Sequence, residues 1–580
     1  MKKRVVELVN VETQINPYRL TLIHSGVGSG KNGFVDGWVD KETGEYKEGL
    51  TKYGRVLLIT SRKAKVDETI KKHKKYEELF VSFSTEKKLD GIDKTSKNVV
   101  CTNSYIANKI KYTYKINSAS SKFWNKFKYV VLDEYHSLVT DATFSDSGYY
   151  IVEMIKEILN SKEDNTPKLI LMSGTPDPIA EHFAEYNPNV IDLLDSAVFL
   201  KPKCFQFITK DYVNQRIYQL LRQNKTVVYF KNKLKYFPNF LEDILYGEEL
   251  FASVENEIEE YKEFPKIGSK ERASKIGVCV AAESVNKLLE DEYDDSILKN
   301  SESFIKVQAN EEKIPEEIKL LITNAKTKEG INIESKVDYV FIESHVLSDI
   351  IQMCGRFRYP DSISKIYLIH DAAQFYISQE ESEEDIKASI ENYNKAIETI
   401  ISKECNSNRS EYSEGAISFI EVAEKSSNNI RFNPFTQKFE CNKWYNIAQN
   451  ELRKSLNLYK SNYESFVANK IFYSSYEKYF KGVKVLADLL PSKNQAFKNV
   501  LRNKFNVEIG DIVDVDKQQE ILIYGNKIAR IFYGLEKNYD ALGWLLKFYG
   551  YTKEKVNKNS KSKKTNVPIR IVEISDNIES

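Results

Sequence analysis

The sequence predicts an α/β protein with two parallel-sheet blocks in tandem and a mostly helical C-terminal region. Short apolar runs recur over the first two thirds of the 580 residues, and polar stretches of helix length separate most of them. Continuous Val, Ile and Leu runs suit strands that are buried on both faces of a sheet, and helices between such strands indicate parallel pairing. After about residue 375 the pattern changes to helical periodicity.

The apolar runs form two series of five. The first series has RLTLI, RVLLIT, NVVCT, YVVLD and KLILMS, at 19–23, 55–60, 98–102, 129–133 and 168–173. The second series has TVVYF, IGVCVA, IKLLIT, DYVFIE and KIYLIH, at 226–230, 276–281, 318–323, 338–343 and 365–370. We therefore predict one α/β domain over 1–200 and a second over 201–375, joined near Phe199 to Phe205.

The remaining third of the chain is predicted to be an accessory region. Five residues at helical spacing follow an acidic first turn and predict one buried face: Ile386, Ile390, Tyr393, Ile397 and Ile401. The aromatic residues between Trp444 and Phe480 are typical of a helix with a core face and a solvated face. We predict a mostly helical accessory domain over 376–552. The run KEKVNKNSKSKK at 553–564 predicts a basic, flexible tail over 553–580.

Composition limits the function classes. The 85 basic and 84 acidic residues leave a formal charge of +1, so a polyanion has to be bound by local patches. The six cysteines lie far apart and form no CxxC pair or short Cys/His cluster, which excludes a zinc ribbon and fits a reducing compartment. No segment has the apolar length of a signal peptide or of a membrane span. We expect a cytoplasmic protein that does not contact membrane.

The stretch SGVGSGKN at 25–32 follows the first predicted strand directly. Its glycines would let backbone N–H groups curl around phosphate oxygens, and the lysine would reach the terminal phosphates. By itself the stretch fits a tight turn with a solvent-exposed lysine equally well. The strict phosphate-loop motif has Gly where this chain has Ser25 and Ser or Thr where it has Asn32. The candidate nucleotide-binding residues are Gly26, Gly28, Ser29, Gly30, Lys31 and Asn32.

A second candidate group ends the strand YVVLD at 129–133. Asp133 and Glu134 would lie at the carboxyl edge of the sheet, where open α/β sheets bind their ligands. Asp133 is suited to hold Mg²⁺, and Glu134 is suited to orient or deprotonate an attacking water. The alternative is an ordinary acidic strand end. The phosphate-binding loop disfavours that alternative, because a carboxylate pair is its expected companion.

With that loop, DEYH at 133–136 resembles the DExH box of superfamily 2 helicases and translocases, in which His136 is part of the motif. Further motifs follow in the order of that family. LMSGTP resembles motif III, TNAKTKEGINI resembles motif V, and IIQMCGRFR resembles motif VI. LLITSRKAK and VVCTNSYIA are weaker matches to motifs Ia and Ib. The matching residues are Ser61, Arg62, Thr102, Ser173, Thr175, Thr327, Gly330, Gln352, Arg356 and Arg358, with Thr323 as the alternative threonine of motif V.

The resemblance covers about residues 15–375 and implies two RecA-like P-loop domains with ATP and Mg²⁺ as cofactors. It implies that Asp133 and Asn32 ligate the metal and that Gln352 and the arginines reach the phosphates from the second domain. Motif VI lacks the usual QRxGRxGR spacing, so either Arg356 or Arg358 is the arginine that acts. The short GRFR form is similar to helicases of the herpesvirus origin-binding type. Motifs Ia, Ib and III and Thr327 of motif V imply contacts to nucleic acid or coupling to it. Gly330 of motif V is implied to contact the nucleotide.

These features predict an ATP-dependent helicase or translocase that acts on nucleic acid, DNA rather than RNA, in the replication or recombination of a phage or mobile element. Two alternatives remain open. One is an origin-binding or remodelling ATPase whose residues 376–580 read a specific site. The other is a non-motor ATPase switch or scaffold, for which Asn32 is the main indication.

Overall fold

The computed structural model describes residues 5–26, 29–39, 45–61, 66, 69–70, 79–83, 91–116, 119–142, 145–175, 179–194, 204–210, 213–231, 275–279, 313–323, 333–370, 382–404, 414–469, 484–487, 497–498, 501–502, 505–533, 539–555 and 568–573. Within these residues, two seven-stranded parallel sheets form the body of the protein. No helix in the described ranges is long and apolar enough to cross a membrane.

The first domain contains nine strands and six α-helices among its described residues. The strands are β1 (Leu20–His24), β2 (Trp38–Val39), β3 (Tyr46–Lys47), β4 (Val56–Thr60), β5 (Phe80–Phe83), β6 (Asn98–Thr102), β7 (Tyr129–Asp133), β8 (Lys168–Ser173) and β9 (Asn189–Asp192). The helices are α1 (Val5–Leu8), α2 (Lys31–Asp36), α3 (Gly91–Lys94), α4 (Asn103–Ile116), α5 (Ser137–Thr140) and α6 (Ser147–Asn160). Strands β2 and β3 form a small hairpin. The other seven form a parallel sheet in the order β5-β6-β4-β7-β8-β1-β9.

Both faces of this sheet are covered, which explains why its strands are apolar without alternation. On β7, Val130 and Leu132 belong to the core cluster that includes residues of α4 and α6. Tyr129 and Val131, which point to the opposite face, belong to a second cluster that includes residues of α1 and α2. Successive side chains of a strand point to opposite faces, so burial of all of them requires a layer on each side.

The second domain repeats this plan. Its elements up to residue 370 are β10 (Cys204–Thr209), α7 (Val213–Arg222), β11 (Val227–Phe230), β12 (Ile276–Cys279), β13 (Leu320–Thr323), β14 (Tyr339–Ile342), α8 (Leu347–Cys354) and β15 (Lys365–His370). The next elements are α9 (Glu383–Glu404), α10 (Glu414–Ser426), β16 (Ile430–Asn433), β17 (Lys438–Cys441), α11 (Lys443–Asn469) and β18 (Lys484–Ala487). The sheet order is β12-β13-β11-β14-β15-β10-β18, and all of its pairs are parallel.

The two sheets have the same topology. Counted along the chain within each sheet, both have the strand order 3-4-2-5-6-1-7. The prediction of two tandem RecA-like domains with parallel sheets is therefore confirmed. All ten predicted apolar runs contain strands, whereas β5, β9, β10 and β18 were not predicted.

Strand β18 is the largest difference from the predicted organisation. It pairs with β10 at the edge of the second sheet, although residues 376–552 are predicted to be a separate accessory domain. The helices α9 to α11 are therefore inserted before the last strand of the second domain. As predicted, one face of α9 is apolar: Ile386 and Ile397 are buried in a cluster with α10 and the β16–β17 hairpin, and Ile390 and Tyr393 pack against it. The side chain of Ile401 lies outside the described residues.

Helix α11 connects the two domains. Near its start, Trp444 and Ala448 are part of the core cluster of the first domain. Further along, Tyr459 is fully buried in the core of the second domain, and its hydroxyl donates to the Ile369 carbonyl oxygen at 3.2 Å. The prediction that the aromatic side chains of this segment are core residues is confirmed for Trp444 and Tyr459. One continuous helix is thus anchored in both domains.

The last described elements are β19 (Ile512–Val513), α12 (Val515–Tyr533), α13 (Leu542–Phe548), β20 (Tyr551–Lys555) and β21 (Ile569–Glu573). The three strands form an antiparallel sheet in the order β19-β21-β20. Residues 553–555 and 569–573 are predicted to be parts of a flexible tail, and that prediction is wrong for them, because they pair across a hairpin. Tyr551 of β20 and the alternating residues Ile569 and Ile571 of β21 are buried in a local core, which stabilises the two strands.

Candidate active site

The glycine-rich loop lies between β1 and α2. β1 is buried along its length, and the Ser29 amide donates to the Gly26 carbonyl oxygen at 3.2 Å, which closes a turn. Gly30 directly precedes α2 and has a φ of 87°. A side chain would be strained at this φ, so a glycine allows the chain to enter α2 directly from the turn. Gly28 lies outside the described residues.

Lys31 is buried at the start of α2, with 6 % of its surface exposed. Its Nζ lies 3.3 Å from the Ser25 carbonyl oxygen and 3.2 Å from Glu134 Oε1. The Ser29 hydroxyl donates to the Ser25 hydroxyl at 3.0 Å. Ser25, which stands where the strict motif has Gly, therefore contacts the loop through its side chain and the lysine through its backbone. Asn32 is half-buried in the first turn of α2.

Strand β7 delivers the two carboxylates to the same edge. Asp133 is its last residue, and Glu134 follows with a φ of 53°. A non-glycine residue in this left-handed region is uncommon, and such backbone conformations persist only where surrounding contacts hold them. The contacts of the Glu134 side chain are of that kind.

Four groups surround the Glu134 carboxylate. Oε1 pairs with Lys31, and Oε2 accepts a hydrogen bond from the Gly174 amide at 3.3 Å. Oε2 also accepts from Gln352 Nε2 at 3.2 Å and lies 3.4 Å from His136 Nδ1. Gln352 belongs to α8 of the second domain. The carboxylate is thus the point at which side chains from both domains meet.

These contacts hold Glu134 in its ionised form. Burial is the largest single influence and by itself raises the pKa of the carboxyl group. The Lys31 ammonium, the hydrogen bond and charge of His136 and the Arg356 guanidinium together outweigh burial, and the pKa lies well below its ordinary value. An ionised, buried carboxylate accepts hydrogen bonds only, so it is able to orient a water molecule.

His136 connects this carboxylate to the strand beside it. Its Nδ1 lies 3.0 Å from the Ser173 hydroxyl, and the Thr175 amide donates to the same hydroxyl at 3.0 Å. Strands β7 and β8 are parallel neighbours, which brings residues 134–136 and 173–175 to one edge. The predicted DEYH and SGT motifs are therefore in direct contact.

The second domain contributes an arginine as well as the glutamine. Arg356 follows α8 and is 9 % exposed, and one of its terminal nitrogens donates to Gln352 Oε1 at 3.0 Å. Arg356 therefore contacts Gln352, and Gln352 in turn contacts Glu134. Arg358 is half-buried, and its backbone amide donates to the Ile333 carbonyl oxygen at 3.0 Å. Of the two candidate arginines, the structure places Arg356 in contact with the carboxylate network.

The residues predicted to contact nucleic acid are only partly described. Ser61 follows β4 at the same sheet edge. Thr102 ends β6, and its hydroxyl accepts from the Tyr105 amide at 3.1 Å, so it caps α4. Arg62, Thr327 and Gly330 lie outside the described residues. Thr323, the alternative threonine of motif V, is fully buried at the end of β13.

Two contacts of this site come from backbone groups that the sequence does not identify, the Ser25 carbonyl and the Gly174 amide. A buried ion pair in the second domain was also not predicted from the sequence. Lys231 and Glu343 directly follow the neighbouring strands β11 and β14, and their side chains lie 3.7 Å apart in a buried position. The sequence contains a signal for this pair, because Glu343 and His345 follow β14 much as Glu134 and His136 follow β7, and both strands are fifth in their sheets.

The residues at this edge fit a magnesium ion that is shared with phosphates. No group of three or more His, Cys, Asp or Glu side chains in the described ranges is arranged to hold a metal. Mg²⁺ in nucleotide sites is usually bound through one or two protein ligands together with phosphate oxygens and water. Asp133, which is 4 % exposed, offers a carboxylate, and Asn32 offers an amide oxygen. Both are hard oxygen donors of the required type.

Residues 14–183 match the family model of the DEAD/DEAH box helicase domain. This range includes the loop at 25–32, the DEYH sequence and the residues 173–175, which are the parts of the site contributed by the first domain. Comparison with curated protein sequences gives no match.

Solved structures with a similar arrangement are helicases of low sequence identity. Dbp5 of S. cerevisiae, solved with RNA and ADP BeF3, is 13 % identical, with 78 % of this chain and 94 % of that chain covered and a TM-score of 0.38. The helicase Lhr of Mycobacterium smegmatis, solved with ssDNA and AMP-PNP, is 11 % identical, with 75 % and 58 % covered and a TM-score of 0.39. A DEAD box protein of Methanococcus jannaschii is 14 % identical, with 62 % and 84 % covered and a TM-score of 0.31.

Proposed function

We propose that this chain, which carries a DEAD/DEAH box helicase domain of superfamily 2 over residues 14–183, uses ATP hydrolysis to move along nucleic acid or to remodel it. The chain is an ATPase of helicase type. Its preferred polymer in this proposal is DNA, and its setting is DNA replication or recombination.

One observation supports the proposal above the others, the contact between Gln352 and Glu134. Glu134 belongs to the first domain and Gln352 to the second, so an ATP molecule at this edge would contact both. A motor has to convert a change at the phosphates into a relative movement of its domains. A site whose central carboxylate is contacted by both domains is able to couple a change at the phosphates to movement of the domains.

The residues suggest how hydrolysis would proceed. Lys31 and the loop amides would bind the phosphates, and the phosphates would compete with Glu134 for the lysine ammonium. Glu134, kept ionised by its neighbours, would orient the attacking water in line with the terminal phosphate. Arg356 would stabilise the charge that develops on the transferred phosphoryl group. A bound Mg²⁺, held by Asp133 and Asn32, would neutralise charge on the phosphate oxygens.

The contact between His136 and Ser173 suggests how nucleic acid would affect hydrolysis. Ser173 and Thr175 lie at the edge of the first sheet and connect through His136 to Glu134. A nucleic acid strand that shifted residues 173–175 would change the hydrogen bonds of Glu134, including the one from the Gly174 amide. This path is short and passes through two buried side chains.

The experiment that tests the function is ATP turnover by the full chain with no polymer, with single-stranded DNA, with duplex DNA and with RNA. We expect stimulation by at least one polymer, and more by DNA than by RNA. ATP binding with the same slow turnover in all four conditions would instead support a switch or scaffold. Equal stimulation by RNA would refute the preference for DNA without affecting the ATPase assignment.

A further inference from the structure

The C-terminal module, residues 497–573, has an architecture that the ATPase function does not explain. Helical residues at 497, 498, 501, 502 and 505 are followed by β19, α12, α13 and the β20–β21 hairpin. β21 lies between β19 and β20 in the sheet. This order of elements is that of a winged helix-turn-helix, in which the second helix of the pair is presented to the outside.

The two helices of the pair are held in a fixed arrangement. They cross closely at Gly525 of α12, where an added Cβ would lie 2.6 Å from Leu545 Cδ2 of α13. The Tyr549 hydroxyl donates to the Gly525 carbonyl oxygen at 2.8 Å. The Asn526 side chain exchanges two hydrogen bonds of 2.7 Å with the backbone of Tyr539, just before α13. Helix α13 is therefore positioned by packing and by three polar contacts.

The outer face of α13 carries an aromatic ring between two lysines. Trp544 is 60 % exposed, and Lys547 Nζ lies 5.5 Å from the centre of its ring. Lys553 of β20 is exposed and lies across Gly543, because a Cβ on that glycine would be 3.1 Å from Lys553 Cε. The helix and the hairpin thus form one continuous surface. We call this surface, Trp544 with Lys547 and Lys553, the α13 face.

The positive charge of the module is concentrated in its second half, which contains α13, β20 and β21. By sequence, residues 541–573 contain eight Lys and Arg and two Glu, a formal charge of +6, of which Lys558, Lys561, Lys563 and Lys564 lie outside the described residues. Residues 497–540 contain seven basic and seven acidic residues and are neutral. Two exposed lysines beside an exposed aromatic side chain, Lys547 and Lys553 near Trp544, have the chemistry to bind a polyanion that also offers apolar groups.

We propose that the α13 face is a second nucleic-acid site and that its ligand is duplex DNA. The major groove of B-form DNA is wide enough to admit an α-helix, whereas the major groove of A-form RNA is too deep and narrow to be read by side chains. Lys547 and Lys553 contact phosphates, and Trp544 packs against the sugar edge or a thymine methyl group. The inference extends the proposed function, since it names the polymer at a site outside the ATP cleft.

The test is the affinity of the full chain for a blunt 20-base-pair DNA duplex, measured by fluorescence anisotropy without nucleotide at several salt concentrations. The test variants are the double variant Lys547→Glu, Lys553→Glu and the single variant Trp544→Ala. We expect affinity to fall by about tenfold or more in the double variant. We also expect the slope of log K against log salt to become shallower by about 0.9 for each phosphate that the variant no longer neutralises. Trp544→Ala lowers affinity and leaves the slope unchanged.

The control is the double variant Lys425→Glu, Lys438→Glu, the same charge change at two exposed residues of α10 and the β16–β17 hairpin. If the double variant and this control bind the duplex equally well, with the same salt slope, the α13 face is not a DNA site. An equal loss of affinity for a duplex RNA of the same sequence overturns the choice of DNA. Thermal melting of each variant shows that the exposed substitutions leave the module folded.

Failure of this proposal is distinguishable from failure of the proposed function. ATP turnover at a saturating concentration of single-stranded DNA depends on the cleft between the two domains, and we expect the double variant to keep it within about twofold. Absence of stimulation by any polymer in the wild type would refute the motor, and duplex affinity without nucleotide would still decide the role of the α13 face.

Discussion

At the scale of a single residue, the environment of the Glu134 carboxylate is formed by both domains. Its carboxylate contacts Lys31 and Gly174 of the first domain and Gln352 of the second. Removing one partner of a buried charge leaves the other uncompensated, which is costly. Substitutions of these residues are therefore expected to affect the site more than their small number of contacts suggests.

The first prediction concerns Lys31 and Glu134. Lys31→Ala is expected to abolish ATP turnover because phosphate binding is lost, and Glu134→Gln is expected to abolish it while nucleotide stays bound. Steady-state turnover and the affinity for a fluorescent ATP analogue, measured together, separate the two effects. Lys52→Ala, at an exposed lysine of the same domain, is the matched control. Hydrolysis at the wild-type rate by Glu134→Gln would show that this carboxylate does not orient the water.

A second prediction separates the two arginines. Arg356 donates to Gln352, so Arg356→Ala is expected to lower turnover by on the order of a thousandfold, the typical cost of losing an arginine finger. Nucleotide affinity should fall less, because the arginine belongs to the domain opposite the phosphate loop. Arg358→Ala is expected to have the smaller effect on turnover. If Arg356→Ala and the double variant both hydrolyse ATP normally, the second domain supplies no arginine to the chemistry.

The third prediction concerns the magnesium requirement. If Asn32 offers an oxygen to the metal, Asn32→Ala should raise the magnesium concentration needed for half-maximal turnover, and Asn32→Thr should keep or lower it. Turnover measured against magnesium for the three proteins tests this. Superimposable curves for Asn32→Ala and the wild type would exclude Asn32 from the surroundings of the metal.

At the scale of elements, α11 is the feature that connects the two domains. Its residues Trp444 and Tyr459 lie in different cores, so the helix restricts how far the domains can separate. The aromatic side chains of Tyr459 and Tyr463 also contact Phe207 of β10 and His370 of β15. Movement between the domains during ATP turnover therefore has to be accommodated by bending of α11 or by release of one of its ends.

The fourth prediction tests this anchoring. Tyr459 is fully buried, so Tyr459→Ala is expected to destabilise the second domain by about 3–5 kcal/mol, the usual cost of truncating a buried aromatic side chain. Tyr459→Phe removes the hydroxyl that donates to Ile369 and keeps the ring, so it should cost about 1 kcal/mol. Thermal melting with nucleotide absent measures both. Tyr445→Ala, at a half-buried residue of the same helix, is the control. A Tyr459→Ala protein that melts like this control would mean that α11 is not anchored in the second domain.

At the scale of the whole molecule, the sequence predicts the parts of the fold that depend on local pattern. The continuous apolar runs are strands because both sheet faces are covered. Strand β10 (CFQFIT) contains a glutamine and β5 (FVSF) contains a serine, so neither stands out by composition. Strand β18 pairs with β10 although 274 residues separate Thr209 from Lys484, and only the folded chain shows such a pairing.

In the site, too, some features follow from local sequence and others only from the folded chain. Lys31, Asp133, Glu134 and Gln352 were predicted because their residue types and order along the chain resemble those of a known family. The contact between Gln352 and Glu134 depends on how the two domains pack, and the roles of the Ser25 carbonyl and the Gly174 amide belong to backbone groups that every residue has. The basic run near the C-terminus was predicted to be a tail because β20, YTKEK, is mostly polar and has little local signal for a strand.

In the proposed mechanism, one ATP site is built from both domains and responds to nucleic acid. Its most direct test is the ATP turnover of Gln352→Ala, beside the wild type, at saturating ATP with and without single-stranded DNA. We expect DNA to stimulate the wild type. We expect the variant to bind ATP but to lose stimulated turnover by on the order of a hundredfold, the usual cost of removing one buried donor from a catalytic site. Wild-type stimulated turnover in Gln352→Ala would contradict the proposed mechanism.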